Sequence, residues 1–200
     1  MPQPGPNAWA YGVLIALLAA AAVTDVRSGR IPNWLTYPVV AAGLIVHTLL
    51  GGLTGHSAPM GERTVHAMGL ADALAGLAAG FLPMLAAYLA GGVGGGDAKL
   101  MAAVGALTGW RFTLEAMFWG FLAAALMAVL VMVRRKIVRR TLARLGRFLY
   151  LALTPTKPAA PVAADSPRIP FGLAMCLGAG ATLIVNLVRG ADLPSLLLRI

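Results

Sequence analysis

Asp25 and Asp97 are the residues of this 200-residue chain best placed to do chemistry. Only seven residues are acidic, and these two fall at the ends of apolar runs. Each is followed by a short basic signature, "DVRSGR" for the first and "DAKL" for the second. A carboxylate in or near hydrocarbon costs at least about 2.5–3.5 kcal/mol, so such a residue reads as functional by default. Two carboxylates brought together share one proton, because like charges a few ångströms apart cannot both ionise. They titrate as a coupled pair. One then takes a proton from water while the other donates to a scissile carbonyl. That is aspartyl-protease chemistry, which needs no metal, no cofactor and no covalent intermediate.

Blander readings exist for each acid. Asp25 could be ion-paired with Arg27 or Arg30 at the membrane edge. Asp97 could be a helix N-cap, since glycines precede it and "AKLMAAVGAL" follows. A cap accounts for Asp97 but not for the five glycines of "GGVGGGDAKL". Glycine permits positive φ and close approach of other backbone. A loop such as "GVGGGD" can bend beneath the membrane surface and bring Asp97 against a neighbouring helix. It can also present N–H and C=O groups to an extended peptide. A phosphate-binding loop is the competing reading, but "GGGDAK" lacks the GxxxxGK[ST] spacing, and an acid beside phosphates repels them. Of the other acids, Glu62, Asp165 and Asp192 fall in loops or the tail and read as solvated. Asp72 and Glu115 lie near span ends, where an interfacial or helix N-terminal place suits them.

The elements that must position the two acids are membrane helices. The chain is 59% hydrophobic and 12% charged, with a mean hydropathy of +0.80. Soluble domains carry about a quarter charged residues, so this chain cannot clothe a water-facing surface. The expected fold is all-α: a polytopic membrane bundle of about six transmembrane helices, near 8–24, 35–50, 69–90, 97–109, 112–133 and 170–188. The second and fourth runs are short for a hydrocarbon core of about 30 Å. The glycine stretch is therefore expected at membrane depth, where irregular backbone survives only if protein or a water cavity satisfies it. Residues 1–24 contain no Lys or Arg, so the N-terminus lacks the positive region of a secretory signal and reads as a retained first span. The tail "ADLPSLLLRI" is too short to cross.

Between Arg134 and Arg147 stand seven Arg or Lys, and Lys157 and Arg168 follow. The positive-inside rule makes that segment cytoplasmic. Counting back along the spans puts Asp25 and Asp97 on the same cytoplasmic side, with twelve cationic residues inside and four outside. The formal charge of +9 is then topology plus attraction to anionic lipid head groups, and no nucleic-acid partner is implied. Residues 134–150 alternate basic and apolar positions and suit an amphipathic helix on the cytoplasmic leaflet. "TPTKPAAPVAADSP" reads as a flexible Pro/Ala loop. The chain reads as a single integral-membrane domain, 1–200, with this basic segment and loop at about 134–168. Cys176, the one cysteine, excludes an internal disulfide and any CxxC site. It reads as a packing residue. His47, His56 and His66 lack metal-ligand spacing, so no metal site is expected.

At these residues the sequence resembles the type IV prepilin leader peptidases, the bacterial branch of the GxGD membrane aspartyl proteases. "GGGDAKL" matches the family's GxGDxKL element at Gly94, Gly96, Asp97, Lys99 and Leu100. "TDVRSGRIPNWLT" matches its first-aspartate element, in which Ile31, Pro32 and Asn33 follow Asp25. "RIPFGLAMCLGA" resembles its late Pro-Phe/Tyr-Gly element at Pro170, Phe171 and Gly172. The three matches span residues 25–172. The resemblance implies a membrane aspartyl endopeptidase with Asp25 and Asp97 as the catalytic pair. It would remove the basic leader from prepilins or pseudopilins at the cytoplasmic face of the bacterial inner membrane, cleaving after a Gly in typical members. Larger members carry an N-terminal extension with paired cysteines and methylate the new N-terminus. Residues 1–8 cannot hold that extension, so the expectation is the small tight-adherence (Flp) pilus type without the methyltransferase. Around the pair, Lys99 is expected to point to lipid phosphates, since i and i+2 do not share a helix face. Asn33 is expected to cap the second helix, with Pro32 fixing the turn. Phe171 and Gly172 are expected to line the peptide groove or to pack.

The rival from another class is a non-enzymatic membrane component, such as a small transporter or a pilus-assembly scaffold. Intramembrane acids also serve proton relays. A transporter places acids near mid-span and often repeats a half, whereas both key acids here lie toward one face and no repeat is visible. An inactive relative would be expected to have lost one aspartate, and both are present.

Overall fold

Helix formation follows the apolar runs, and glycine marks where the first three helices stop. The structure, a computed structural model, describes residues 8–53, 55–60, 63–139, 141, 143, 146 and 170–190. Helix α1 is Ala8–Ser28. Gly29 ends it at φ +61, with its N–H bonded to the Asp25 carbonyl at 2.8 Å, a left-handed closure that glycine adopts without strain. Pro32, extended at φ −75 and ψ 146, leads into α2, Asn33–Gly51. A short antiparallel hairpin follows, β1 (His56–Met60) on β2 (Arg63–Ala67), with Met60 opposite Arg63. Helix α3 is Leu70–Leu89, α4 is Gly95–Arg134, and α5 is Phe171–Gly190.

Among the described residues, these five helices are long and apolar enough to cross a membrane. Helix α4 has 40 residues, which at 1.5 Å per residue is about 60 Å, twice a hydrocarbon core. It is broken at Gly109, whose φ of 79 and ψ of 172 lie outside the helical region. The break divides it into 95–108 and 110–134, so the expected fourth and fifth spans are both present. The hairpin was not anticipated. Eight of the 17 residues of the basic segment at 134–150, together with the Pro/Ala loop and the tail, lie outside the described residues.

The described residues fall into two compact units, those within Met1–Ala123 and Pro170–Ile200, and those within Ala124–Ile169. In the first, the short fourth run is the centre of the bundle. Every residue from Leu100 to Gly109 is buried. A helix that is apolar all round is buried all round, which explains how so short a run survives: protein surrounds it. Its neighbours reach it through glycines. A Cβ added at Gly76 would collide with the Gly105 carbonyl, one at Gly80 with that of Met101, and one at Gly43 with that of Ala106, 2.9 Å away. Gly76 and Gly80 share a face of α3, as Met101 and Gly105 do on α4, so the two helices touch backbone to backbone. His47 of α2, fully buried, donates through Nε2 to the Leu107 carbonyl at 3.0 Å. On the far side, Gly178 of α5 meets Ala116 and Gly120. In the second unit, α4 ends at Arg134 and a turn at Arg135–Lys136 follows, with Lys136 at φ 55.

A methyl at Gly105 would therefore have to displace α3. Gly105→Ala is expected to cost about 1–3 kcal/mol, read as a lower melting midpoint in detergent. Gly180→Ala, where an added Cβ meets nothing within 4 Å, should not lower it.

Candidate active site

Asp25 lies in the last turn of α1 and Asp97 in the first turn of α4. The first expected span stopped at residue 24, but the helix runs four residues further, so Asp25 belongs to it. Both carboxylates are buried, at 8% and 7% exposure. Both line one cavity of about 260 Å³, together with Gly29, Arg30, Ile31, Gly94, Gly95 and Gly96. The structure thus brings together four of the residues singled out from sequence: Asp25, Asp97, Gly94 and Gly96.

Each carboxylate accepts from the backbone at a helix N-terminus. The Gly94 N–H donates to Asp97 Oδ2 at 3.1 Å, and the Asp97 N–H donates to the Gly94 carbonyl at 3.1 Å. Asp97 is therefore not the N-cap. Gly94 takes that place, and Asp97 reaches back to it from the third helical position, as the acid of a capping box does. The Leu173 N–H at the start of α5 donates to Asp25 Oδ2 at 2.9 Å. That bond, rather than one to Arg27 or Arg30, is the partner the structure gives Asp25.

Ile31 is the wedge between the motifs. A Cβ added at Gly96 would lie 3.2 Å from Ile31 Cβ and 3.3 Å from its backbone N and O. One added at Gly172 would lie 2.9 Å from Ile31 Cδ1. Gly96 and Gly172 thus let α4 and α5 close on the same side chain. The motif alone does not assign Ile31 this packing role. Its signal was its place before Pro32, where an extended backbone is favoured.

The remaining motif residues do not line the cavity. Lys99 donates through Nζ to Asn33 Oδ1 at 2.8 Å and lies over the Tyr37 ring, 5.2 Å from its centroid. It is directed at α2, not at lipid phosphates. Asn33 is not a cap: Pro32 occupies that position, and Leu35 donates to the Pro32 carbonyl at 3.1 Å. The Asn33 amide serves Lys99 instead, tying the start of α2 to the start of α4. Pro170 is the residue before α5, and its carbonyl accepts the Ala174 N–H at 3.3 Å. Phe171 packs on Phe121, centroids 5.9 Å apart at 58°. Cys176 is buried in the core, a packing residue as expected. Asp72 stands in the first turn of α3 and accepts from the Gly69 N–H at 3.4 Å.

A model of the Type IV leader peptidase family matches residues 12–129, a stretch holding both aspartates. The chain belongs to this family. Over 133 residues it is 32% identical to the prepilin leader peptidase/N-methyltransferase of Bacillus subtilis (strain 168), covering 64% of this chain and 46% of that protein. With the proteins of the same description from Aeromonas hydrophila and Burkholderia pseudomallei (strain 1026b), identity is 31% over 133 residues and 38% over 109. Those matches cover 63% and 51% of this chain, and 41% and 30% of those proteins. The chain spans less than half the length of these relatives. No solved structure matches it. Family and helices together describe a multi-pass membrane protein.

The tie between Lys99 and Asn33 predicts non-additivity. Lys99→Met and Asn33→Ala should each lower the melting midpoint slightly, and the double variant should cost less than their sum. The coupling should be about 0.2–1 kcal/mol, as expected for an exposed pair. Strictly additive costs would mean that the two side chains act independently.

Proposed function

We propose that the chain is an aspartyl endopeptidase that removes the basic leader from prepilins at the cytoplasmic face of the bacterial inner membrane. The observation that carries this reading is that Asp25 and Asp97, far apart in sequence, line one cavity. Membership of the family supports it, as do the relatives described as prepilin leader peptidases. The excess of cationic residues on one side of the spans supports the cytoplasmic orientation.

In the mechanism that follows, two buried carboxylates on one cavity hold a single proton between them. The protonated one donates to the oxygen of the scissile carbonyl and polarises it. The ionised one takes a proton from water as the water oxygen attacks the carbonyl carbon. The tetrahedral diol collapses as a proton passes to the leaving nitrogen. The C–N bond breaks, freeing the leader's carboxylate and the pilin's amine. Gly94, Gly95 and Gly96 line the cavity with backbone, against which an extended substrate can pair next to Asp97.

Co-expression with candidate prepilins, read as leader loss on a gel, tests the assignment. Asp25→Asn or Asp97→Asn should cut processing by about 10²–10⁴-fold, the usual span for a lost general acid or base, with the protein still in the membrane. Processing at the normal rate by either variant would end the dyad assignment.

A further inference from the structure

Asp25 sits at the unfavourable end of its own helix. The last turn of α1 presents carbonyls with partial negative charge, which disfavour a carboxylate. The offset comes from α5. Leu173 is the third residue of that helix, so its N–H has no partner within α5. It donates instead to Asp25 Oδ2 at 2.9 Å, across 148 residues of sequence. In effect Asp25 caps α5 from another helix.

The approach depends on residue 172 having no side chain. A Cβ there would lie 2.9 Å from Asp25 Oδ2 and 3.0 Å from its Cγ, closer than real Cβ atoms come. The same Cβ would strike Ile31 Cδ1, which also packs the cavity wall. Gly172 itself is buried, while the Leu173 side chain is half-buried.

We propose that the first turn of α5 is the positioning element of the reaction: the Leu173 backbone N–H holds Asp25 in place, and Gly172 supplies the space for that bond. With one carboxylate oxygen committed to Leu173, the other handles the proton. This inference rests on the aspartyl peptidase reading for its catalytic consequence, but the bond itself can be tested without activity.

The test uses the full chain in membranes and in detergent. Leu173→Ala keeps the N–H and should process prepilin within about twofold of the wild type. Leu173→Pro removes the N–H at a position in the first turn, where a helix tolerates proline. It should lower kcat by about 10- to 100-fold, the worth of one hydrogen bond to a charged group, with KM little changed. Gly172→Ala should do the same by displacing Asp25. Wild-type kcat in a folded Leu173→Pro chain would overturn the proposal. If that variant fails to accumulate, Gly172→Ala decides, and wild-type kcat there overturns it equally. Melting midpoints supply the activity-free arm. Leu173→Pro should lower the midpoint in the wild type, and by less in an Asp25→Ala background, where the acceptor is already gone. Equal drops in both backgrounds would overturn the anchor. A wild-type chain that cleaves no prepilin would sink the functional reading while leaving this thermal comparison intact.

Discussion

In hydrocarbon a helix gains little by exchanging a lipid tail for an apolar side chain, so association depends on how closely two backbones can approach. The bundle meets that constraint with glycine. Gly76 and Gly80 set α3 on α4, Gly43 sets α2 on it, and Gly178 sets α5 on its later half. Against these contacts the first part of α4 is held on every side, and Asp97 sits in its first turn. The same device works at the site. Gly96 lets α4 close on Ile31, and Gly172 lets α5 close on both Ile31 and Asp25. Core and cavity are built by one kind of contact.

The carboxylates show the complementary problem. Burying a charge without partners is costly, and both aspartates are buried. The remedy is the same for each, an N–H from the start of a helix, where backbone donors have no partner of their own. Asp97 uses the start of its own helix and Asp25 the start of a distant one. The first is local and short in sequence. The second makes the geometry of Asp25 a property of the whole bundle.

That difference governs what could be read from the residues. The helices were legible because apolar runs of spanning length have few alternatives. The division of α4 was legible too, since a hydrophobic stretch of its length cannot be one span. The end of α1 was not. Hydropathy falls at "TDVRS", but hydrogen bonding carries the helix on until Gly29 closes it. The hairpin was hidden by Pro59, which sits within β1 and argues against a strand. In an isolated two-stranded hairpin both strands are edges, where proline is tolerated. At the site, residue types and motif spacing pointed to Asp25, Asp97 and the glycines. They could not pair Lys99 with Asn33, because no spacing rule links residues 66 apart. Leu173 was invisible for a deeper reason: its backbone does the work, and every residue but proline has the same N–H.

The bond from Leu173 to Asp25 has a consequence for biosynthesis. Asp25 and Asp97 leave the ribosome long before α5 does, and until that last helix inserts, Asp25 has no donor to hold it. A nascent chain carries both acids and yet has an unfinished centre. The bond that fixes Asp25 can therefore form only once α5 is in place, so the order of translation makes it among the later tertiary contacts to close.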